Sequence, residues 1–369
     1  MSAVTDPIPF LDLAPQFRAL EAEWLAAIRA SGAAGSFILG PQVTAFEREC
    51  AEYIGVKHAI AVANGTDSLV LSLRALGIGP GHEVITTPYT FFASSEAIDT
   101  VGATPVFADI RADSFTLDPD DVRRRITAKT RAILPVHIFG HPCAMDELLA
   151  IARAHKLAVV EDCAQAFGAT VNGRVVGSLG DTGSFSFYPT KVLGCYGDGG
   201  MITTNSDALN EHIRRLRNHG AVQPFIHTEI GCNSRLDEIQ AALLRLKLRS
   251  IKSDIDGRRA VAAAYTRALA GSGVQTPKDV PGHVYNLYTV RLPKRDAVRQ
   301  ALIDAKIGHS LCYPKGLHLQ DVYRRLGYAP GSLPTCEQIT AENLSLPVYP
   351  GMPPAHIERV CASVTRALR

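Results

Sequence analysis

The sequence predicts an α/β fold, with a large domain built on a mostly parallel central sheet wrapped by helices and a smaller C-terminal α/β domain behind it. Three observations predict it. From His58 to about Asn205, short apolar runs alternate with amphipathic stretches, the pattern of parallel strands covered by helices. Polar and glycine-rich strings follow several of those runs, at the strand ends where such sheets bind ligands. At 369 residues the chain is long enough for two domains, and near residue 250 the alternation gives way to a long helical stretch and proline-rich loops.

Taken in order, Phe17, Leu20, Trp24 and Ile28 recur at intervals of three and four, which predicts a helix over Pro15–Arg29. A second amphipathic run covers Gln42–Ile54. Strands are expected at His58–Val62, Glu83–Thr86, Pro105–Asp109, Ala132–His137, Ala158–Glu161, Ser184–Phe187 and Met201–Thr204. Helices are expected between the first five, at Asp67–Leu76, Phe91–Val101, Asp120–Ile126 and Met145–His155. Asp207–Asn218 reads as helix and Asp237–Leu269 as one long helical region. The last third shows a strand at Tyr285–Leu292, a helix at Asp296–Ala305, and proline-rich loops around Tyr313 and Pro347. These divide the chain into a large domain, residues 1–249, and a small one, residues 250–369.

Composition narrows the function. Lys plus Arg number 38 against 36 for Asp plus Glu, so charge offers no basis for a nucleic-acid or anionic-membrane partner. The start, Met1 to Pro7, lacks the basic and apolar regions of a leader peptide, and no apolar run approaches the ~20 residues of a membrane span. Eight scattered cysteines without a CxxC pair argue against a metal knuckle or redox dithiol and suit a reducing compartment. A cytoplasmic protein with no metal site is expected.

Lys191 is the leading candidate for chemistry. It lies between the apolar run Ser184–Tyr188 and a loop holding Gly194, Gly197, Gly199 and Gly200. Glycines at this density admit close backbone approach to a bound group, and a desolvated lysine acts as an amine nucleophile toward carbonyls. Four other strings are candidates. Asn64-Gly65-Thr66-Asp67-Ser68 joins a strand to a helix whose N-terminus suits phosphate, although N-capping by Thr66 or Asp67 is the plainer role. Asp162 ends an apolar run, where a carboxylate can keep a heterocyclic nitrogen protonated, and Gln165 follows it. Phe91 and Phe92 could stack on a planar group or fill core. Asn233 and Arg235 precede a long helix, where Arg235 suits a carboxylate or phosphate or simply pairs with Asp237 or Glu238. A phosphate site, an acid for a ring nitrogen, a stacking ring and a lysine together describe pyridoxal 5′-phosphate (PLP).

With those residues in view, the sequence resembles the DegT/DnrJ/EryC1/StrS family of PLP-dependent sugar aminotransferases, of fold-type I. The resemblance runs from about Phe10 to the C-terminus. It rests on Phe37-Ile-Leu-Gly-Pro41, Ala63–Asp67, Pro135-Val-His-Ile-Phe-Gly-His141, Glu161–Gly168, Ser184–Lys191, Leu193–Gly200, Arg217–Gly220, Asn233–Ala242 and Leu344–Pro350. It implies that Lys191 forms the imine with PLP, that Asp162 pairs with the pyridine nitrogen and Gln165 with the ring oxygen, and that Phe91 stacks on the ring. Gly65, Thr66, Asp67 and Ser186 would hold the phosphate, with Asn233 arriving from the neighbouring subunit of a homodimer whose active sites lie at the subunit interface. Arg235, His309, Tyr313 and His318 would face the substrate.

The implied reaction moves the amino group of L-glutamate to a nucleotide-linked keto sugar, with a 3-keto UDP- or dTDP-sugar favoured. A 4-keto sugar or an aminocyclitol is the alternative, and a PLP lyase, a decarboxylase or a non-catalytic PLP-binding regulator lies further off. One branch of the family carries histidine in place of the lysine and dehydrates instead; here the lysine is intact. Two departures stand out. Members often read His-Tyr-Pro where this chain has Cys312-Tyr313-Pro314, and many carry histidine where Asn286 stands.

Overall fold

The computed structural model describes residues 6–369, and the expectation read from Met1–Thr5 lies outside the described residues. Two helices lead, α1 (Ala14–Ala34) and α2 (Pro41–Ile54). Pro41 suits the first turn of α2 because its fixed φ is already helical. The Glu238 carboxylate takes the otherwise unpaired N–H groups of Gln42 and Val43 at 2.9 and 2.8 Å. Val43, Phe46, Cys50 and Ile54, spaced three and four apart, turn toward the core.

The sheet region follows as β1 (His58–Val62), α3 (Gly65–Ala75), β2 (Glu83–Thr86), α4 (Ala93–Thr100), β3 (Thr104–Phe107), α5 (Pro119–Arg125), β4 (Thr130–Leu134), α6 (Met145–His155) and β5 (Ala158–Asp162). A small hairpin, β6 (Thr170–Val171) and β7 (Arg174–Val175), precedes β8 (Thr182–Ser186) and β9 (Gly200–Thr204). Next come α7 (Asp207–Leu216), the hairpin β10 (Ala221–Gln223) and β11 (Ile226–His227), and the helices α8 (Glu238–Leu248) and α9 (Ile251–Ala268). The chain ends with β12 (Tyr288–Arg291), α10 (Arg295–Asp304), α11 (Pro334–Glu342), β13 (Asn343–Leu346) and α12 (Pro354–Leu368).

Seven strands form the central sheet in the order β1-β9-β8-β5-β4-β2-β3. All neighbours are parallel except β9, which runs antiparallel to both β1 and β8. The sheet is therefore the mostly parallel one expected. In β1, Ala59 to Val62 are apolar without alternation and all buried, as expected of a strand covered on both faces.

Three features differ from the expected elements. The region Asp237–Leu269 breaks at Arg249–Ser250, where Ser250 leaves helical geometry at φ −101°, ψ 0°. The strand expected over Tyr285–Leu292 starts only at Tyr288, because Tyr285 sits at φ +48°, which no strand accommodates. The last segment also contains α11, β13 and α12, which sequence periodicity had not marked. Of these, β13 pairs antiparallel with β12.

Residues beyond 250 enter three cores, Ile251, Ile255 and Val284 joining Phe46 and Phe187 in the first. Val261, Tyr265, Val290, Leu302 and Val360 pack together, joined by Ile8 from the other end of the chain. Leu317, Tyr323 and Ile339 pack instead with Leu69 and Phe107 under the central sheet. All eight cysteines are unbridged. Among the described residues, no helix is long and apolar enough to cross a membrane.

Candidate active site

The carboxyl ends of β1, β5 and β8 open into one cleft of about 760 Å³ lined by Gly65, Thr66, Asp67, Asp162, Ser186 and Lys191. Gln165, Phe91 and Tyr313 also line it. One fold feature thus gathers most of the residues singled out from sequence.

At the first wall, α3 begins at Gly65. Its N-cap is Asn64, whose side chain accepts the Asp67 N–H at 2.8 Å; neither Thr66 nor Asp67 caps it. Capping by the preceding residue leaves the first turn facing the cleft. A Cβ at Gly65 would lie 2.6 Å from Ser186 Cβ, so only glycine lets the helix end and the tip of β8 close into one cradle.

At the second wall, Asp162 ends β5 and is buried. Its Oδ2 accepts from Ser94 Oγ at 2.7 Å and its Oδ1 from the Ala164 N–H at 3.0 Å. Burial pushes its carboxyl above the usual range, partly opposed by Ser94, Ala164 and the Lys191 charge. Ser94 was not found from sequence; its only signal was a position one turn beyond Phe91.

Lys191 closes a turn after β8, its N–H donating to Tyr188 O at 2.9 Å. Its half-buried side chain has its pKa lowered by desolvation, while Asp162 and Cys312 pull it back up. The loop behind it is clamped: Gln240 Oε1 and Nε2 hold Tyr196 N–H and C=O, each at 3.0 Å. Buried Lys247 donates to Gly194 O and stands 4.9 Å over the Tyr196 ring. Gly194 packs where a Cβ would sit 2.6 Å from Pro189 O.

Beneath Asp162 lies a fully buried pair, Glu161 and His137. Glu161 accepts the N–H groups of Gly177, Leu179 and Gly180 at 3.0, 2.8 and 2.8 Å. His137 Nδ1 accepts the Cys143 N–H at 3.0 Å, so the ring proton sits on Nε2 and faces Glu161 at 3.2 Å. Burial pushes the Glu161 carboxyl up, but bonds from His137 and the backbone outweigh it and hold the group below its usual range. With Cys163, the pair gathers ligand-type atoms within 4.8 Å. Both Glu161 oxygens and both His137 nitrogens are already hydrogen-bonded, so the cluster acts as a lock beneath the strand tip rather than as an open ligand set.

The remaining residues divide. Gln165 Oε1 accepts the Phe139 N–H at 2.8 Å and its Nε2 donates to Tyr313 Oη at 3.0 Å, which places both at the cleft. Phe91 is 59% exposed at the mouth, not core. Asn233 is exposed outside this cleft. Arg235 donates to Asn218 Oδ1 at 2.9 Å, not to Asp237 or Glu238. His309 lies against Ile307 O at 3.0 Å and does not line the cleft. His318 is buried beside Glu337, Nε2 to Oε1 3.2 Å, and does not line the cleft.

The comparisons with known proteins fit this geometry. The description of the DegT/DnrJ/EryC1/StrS aminotransferase family matches residues 18–365. The chain belongs to that family. A UDP-N-acetyl-3-dehydro-α-D-glucosamine 3-aminotransferase of Acidithiobacillus ferrooxidans is 43% identical over 98% of this chain and 98% of its own. A pleiotropic regulatory protein of Geobacillus stearothermophilus is 46% identical over 93% of this chain and 94% of its own. Among solved structures, DesV of S. venezuelae in complex with a ketimine intermediate superposes with a TM-score of 0.96, at 43% identity and 99% coverage of each chain. NtdA of Bacillus subtilis with bound cofactor PMP superposes at 0.93, with 27% identity, covering 100% of this chain and 86% of that one. This aminotransferase therefore has the fold-type I architecture that the resemblance implied.

Proposed function

We propose that the protein transfers the amino group of L-glutamate to a nucleotide-linked keto sugar, using PLP held in the cleft, with a 3-keto sugar favoured. The observation that carries the reading is the convergence of Lys191, Asp162 and the Gly65–Ser186 cradle on one cleft. The residues fit the cofactor. The cradle closed by glycine suits a phosphate at a helix N-terminus, and the Asp162 carboxyl, pushed up by burial, would be held ionised by a cationic ring N–H beside it.

When bound, PLP supplies the electron sink that lets an amino acid exchange its amino group for a carbonyl oxygen. Lys191 Nζ, disposed by burial toward its neutral form, would hold the cofactor carbonyl and would carry the Cα proton of the bound amino acid. Asp162, its two oxygens fixed by Ser94 and Ala164, would keep the ring nitrogen protonated, and Gln165 would meet the ring hydroxyl. Phe91, at the mouth, would cover the ring. The chain would divide at residue 249/250, with the smaller unit bringing Tyr313 to the cleft.

We further propose a homodimer in a reducing, cytoplasmic compartment. The hairpin β10–β11 and the strand of chain after it leave Phe225 and Ile230 exposed at 94% and 84%, an apolar patch that a second copy would cover. Asn233 and Arg235 follow directly, so the same contact would carry them toward the partner's cleft.

The test uses the yellow holoenzyme. Adding L-glutamate should bleach the visible band with release of one equivalent of 2-oxoglutarate, and a panel of UDP-, dTDP- and GDP-linked keto sugars should restore it. A band that no amino acid alters would count heavily against transamination.

A further inference from the structure

Lys247 is a charged group that the reaction above does not use, yet it is only 3% exposed. It extends from α8 toward the loop between β8 and β9 and donates to Gly194 O. We propose that Lys247 is a positioning residue for Lys191: by fixing the Gly194 carbonyl, it holds the turn from which the reacting amine extends. The proposal rests on the aminotransferase reading above.

An ammonium taken out of water is costly unless it is paired and hydrogen-bonded. Burial brings this one down to about 8, with Cys195 and Asp254 pulling it back up, so it stays charged at neutral pH. Among the described residues no carboxylate bonds to it. Its contacts are the Gly194 carbonyl and the face of the Tyr196 ring, 4.9 Å from Nζ to the ring centre. An apolar side chain of similar length would fill this place at lower cost, so the charge serves the carbonyl rather than the core.

Both contacts belong to the loop that carries Lys191. Its inner part, 188–194, is closed by the Cys195 N–H on Phe187 O at 2.8 Å. Inside it, the Lys191 N–H donates to Tyr188 O at 2.9 Å. Gly194 packs directly on that turn, where a Cβ would lie 2.6 Å from Pro189 O and 2.7 Å from Tyr188 O. Gly194 is thus a floor under the turn, and Lys247 holds the floor from the far side by a charge-assisted bond. Gln240, two turns earlier on the same face of α8, brackets the neighbouring Tyr196 backbone. Trp24 of α1 backs the Tyr196 ring edge-on at 5.0 Å. The charges that shift Lys191 are those of Asp162 and Cys312, so Lys247 acts through backbone position. An amine that must reach both a cofactor carbonyl and a Cα proton tolerates little displacement.

The test has two readouts. In the cofactor-free protein, Lys247→Met should raise amide hydrogen exchange across residues 187–199 about tenfold, while peptides from β1 to β5 keep their wild-type rates. In the holoenzyme, the rate constant for bleaching by L-glutamate, followed by stopped flow, should fall about 10- to 100-fold with unchanged glutamate affinity. A variant that is merely less stable would lose amplitude, from fewer folded molecules, and keep the rate constant. Wild-type exchange across 187–199, or a wild-type rate constant, would overturn the assignment. Lys247→Gln, too short to reach Gly194 O, should behave alike and decides if the Met variant does not fold. A wild-type enzyme that L-glutamate fails to bleach would instead remove the aminotransferase reading, and the exchange result would still judge the role of Lys247.

Discussion

Lys191 and Asp162 feel the same burial with opposite signs, because desolvation disfavours whichever form is charged. Burial lowers the lysine and raises the acid, and each partly restores the other. Removing the acid should therefore let the lysine fall further. In the cofactor-free protein, Asp162→Asn should shift the pH profile of pyridoxal capture by Lys191, read by borohydride trapping, toward lower pH; an unmoved profile would show that the two charges are not coupled. The same variant should cost turnover by orders of magnitude with the fold intact. Lys191→Ala should leave no borohydride-reducible bond to the cofactor, and a surviving bond would mean that another amine holds it. Both residues were legible because each ends an apolar run beside small or polar neighbours. Ser94 and Asn286 were harder to see. Ser94 meets Asp162 across 68 positions, and a serine inside a helix carries no periodic signal. Asn286 was noticed only as a departure, and its burial carries no periodic signal in the sequence.

Between residues and fold, Glu161 near the end of β5 ties the turn after β4 to the loop that enters β8. Its carboxylate serves three backbone N–H groups in 177–180 and the His137 ring, so one side chain sets the height of the strand tip bearing Asp162. Glu161→Ala should lower unfolding stability by about 3–5 kcal/mol, as when one partner of a buried pair is removed, measured by urea denaturation. A loss below 1 kcal/mol would show that the loop finds its own partners. Gly65→Ala should weaken PLP binding at least tenfold in a fluorescence titration, because the new methyl meets Ser186 Cβ at 2.6 Å. Unchanged affinity would mean that β8 yields. Elements with strong punctuation were legible to the residue: β1, β2 and α6 start and stop where apolar pattern and turn residues place them. The α8–α9 break was not, since Arg249 and Ser250 are neither glycine nor proline and the apolar spacing runs past them. The terminal α11, β13 and α12 were hidden because prolines that begin helices, Pro334 and Pro354, read as loop text when the partner elements are unknown.

At the scale of the molecule, alternating strands and helices predicted the sheet, but hydrophobic pattern carries no direction, and the reversal of β9 could not be read from it. Neither could the exposed hairpin, whose apolar residues look like any short strand until their surroundings are seen. If a second copy covers Phe225 and Ile230, the protein should sediment as a dimer. Phe225→Asp with Ile230→Asp should shift it toward monomer and reduce activity in step, and a full-strength active monomer would remove the shared-site reading. The reversal of β9 has a consequence for descent. Because β9 lies antiparallel beside β8, the chain leaves and re-enters the sheet at the same strand end, and residues 187–199 form a closed detour that needs no crossover helix. Strand order is thus inherited independently of what the detour contains. A lineage can replace the amine at its centre and take up another reaction while every strand keeps its neighbours, so ancestry and chemistry in this family are free to part company at a single codon.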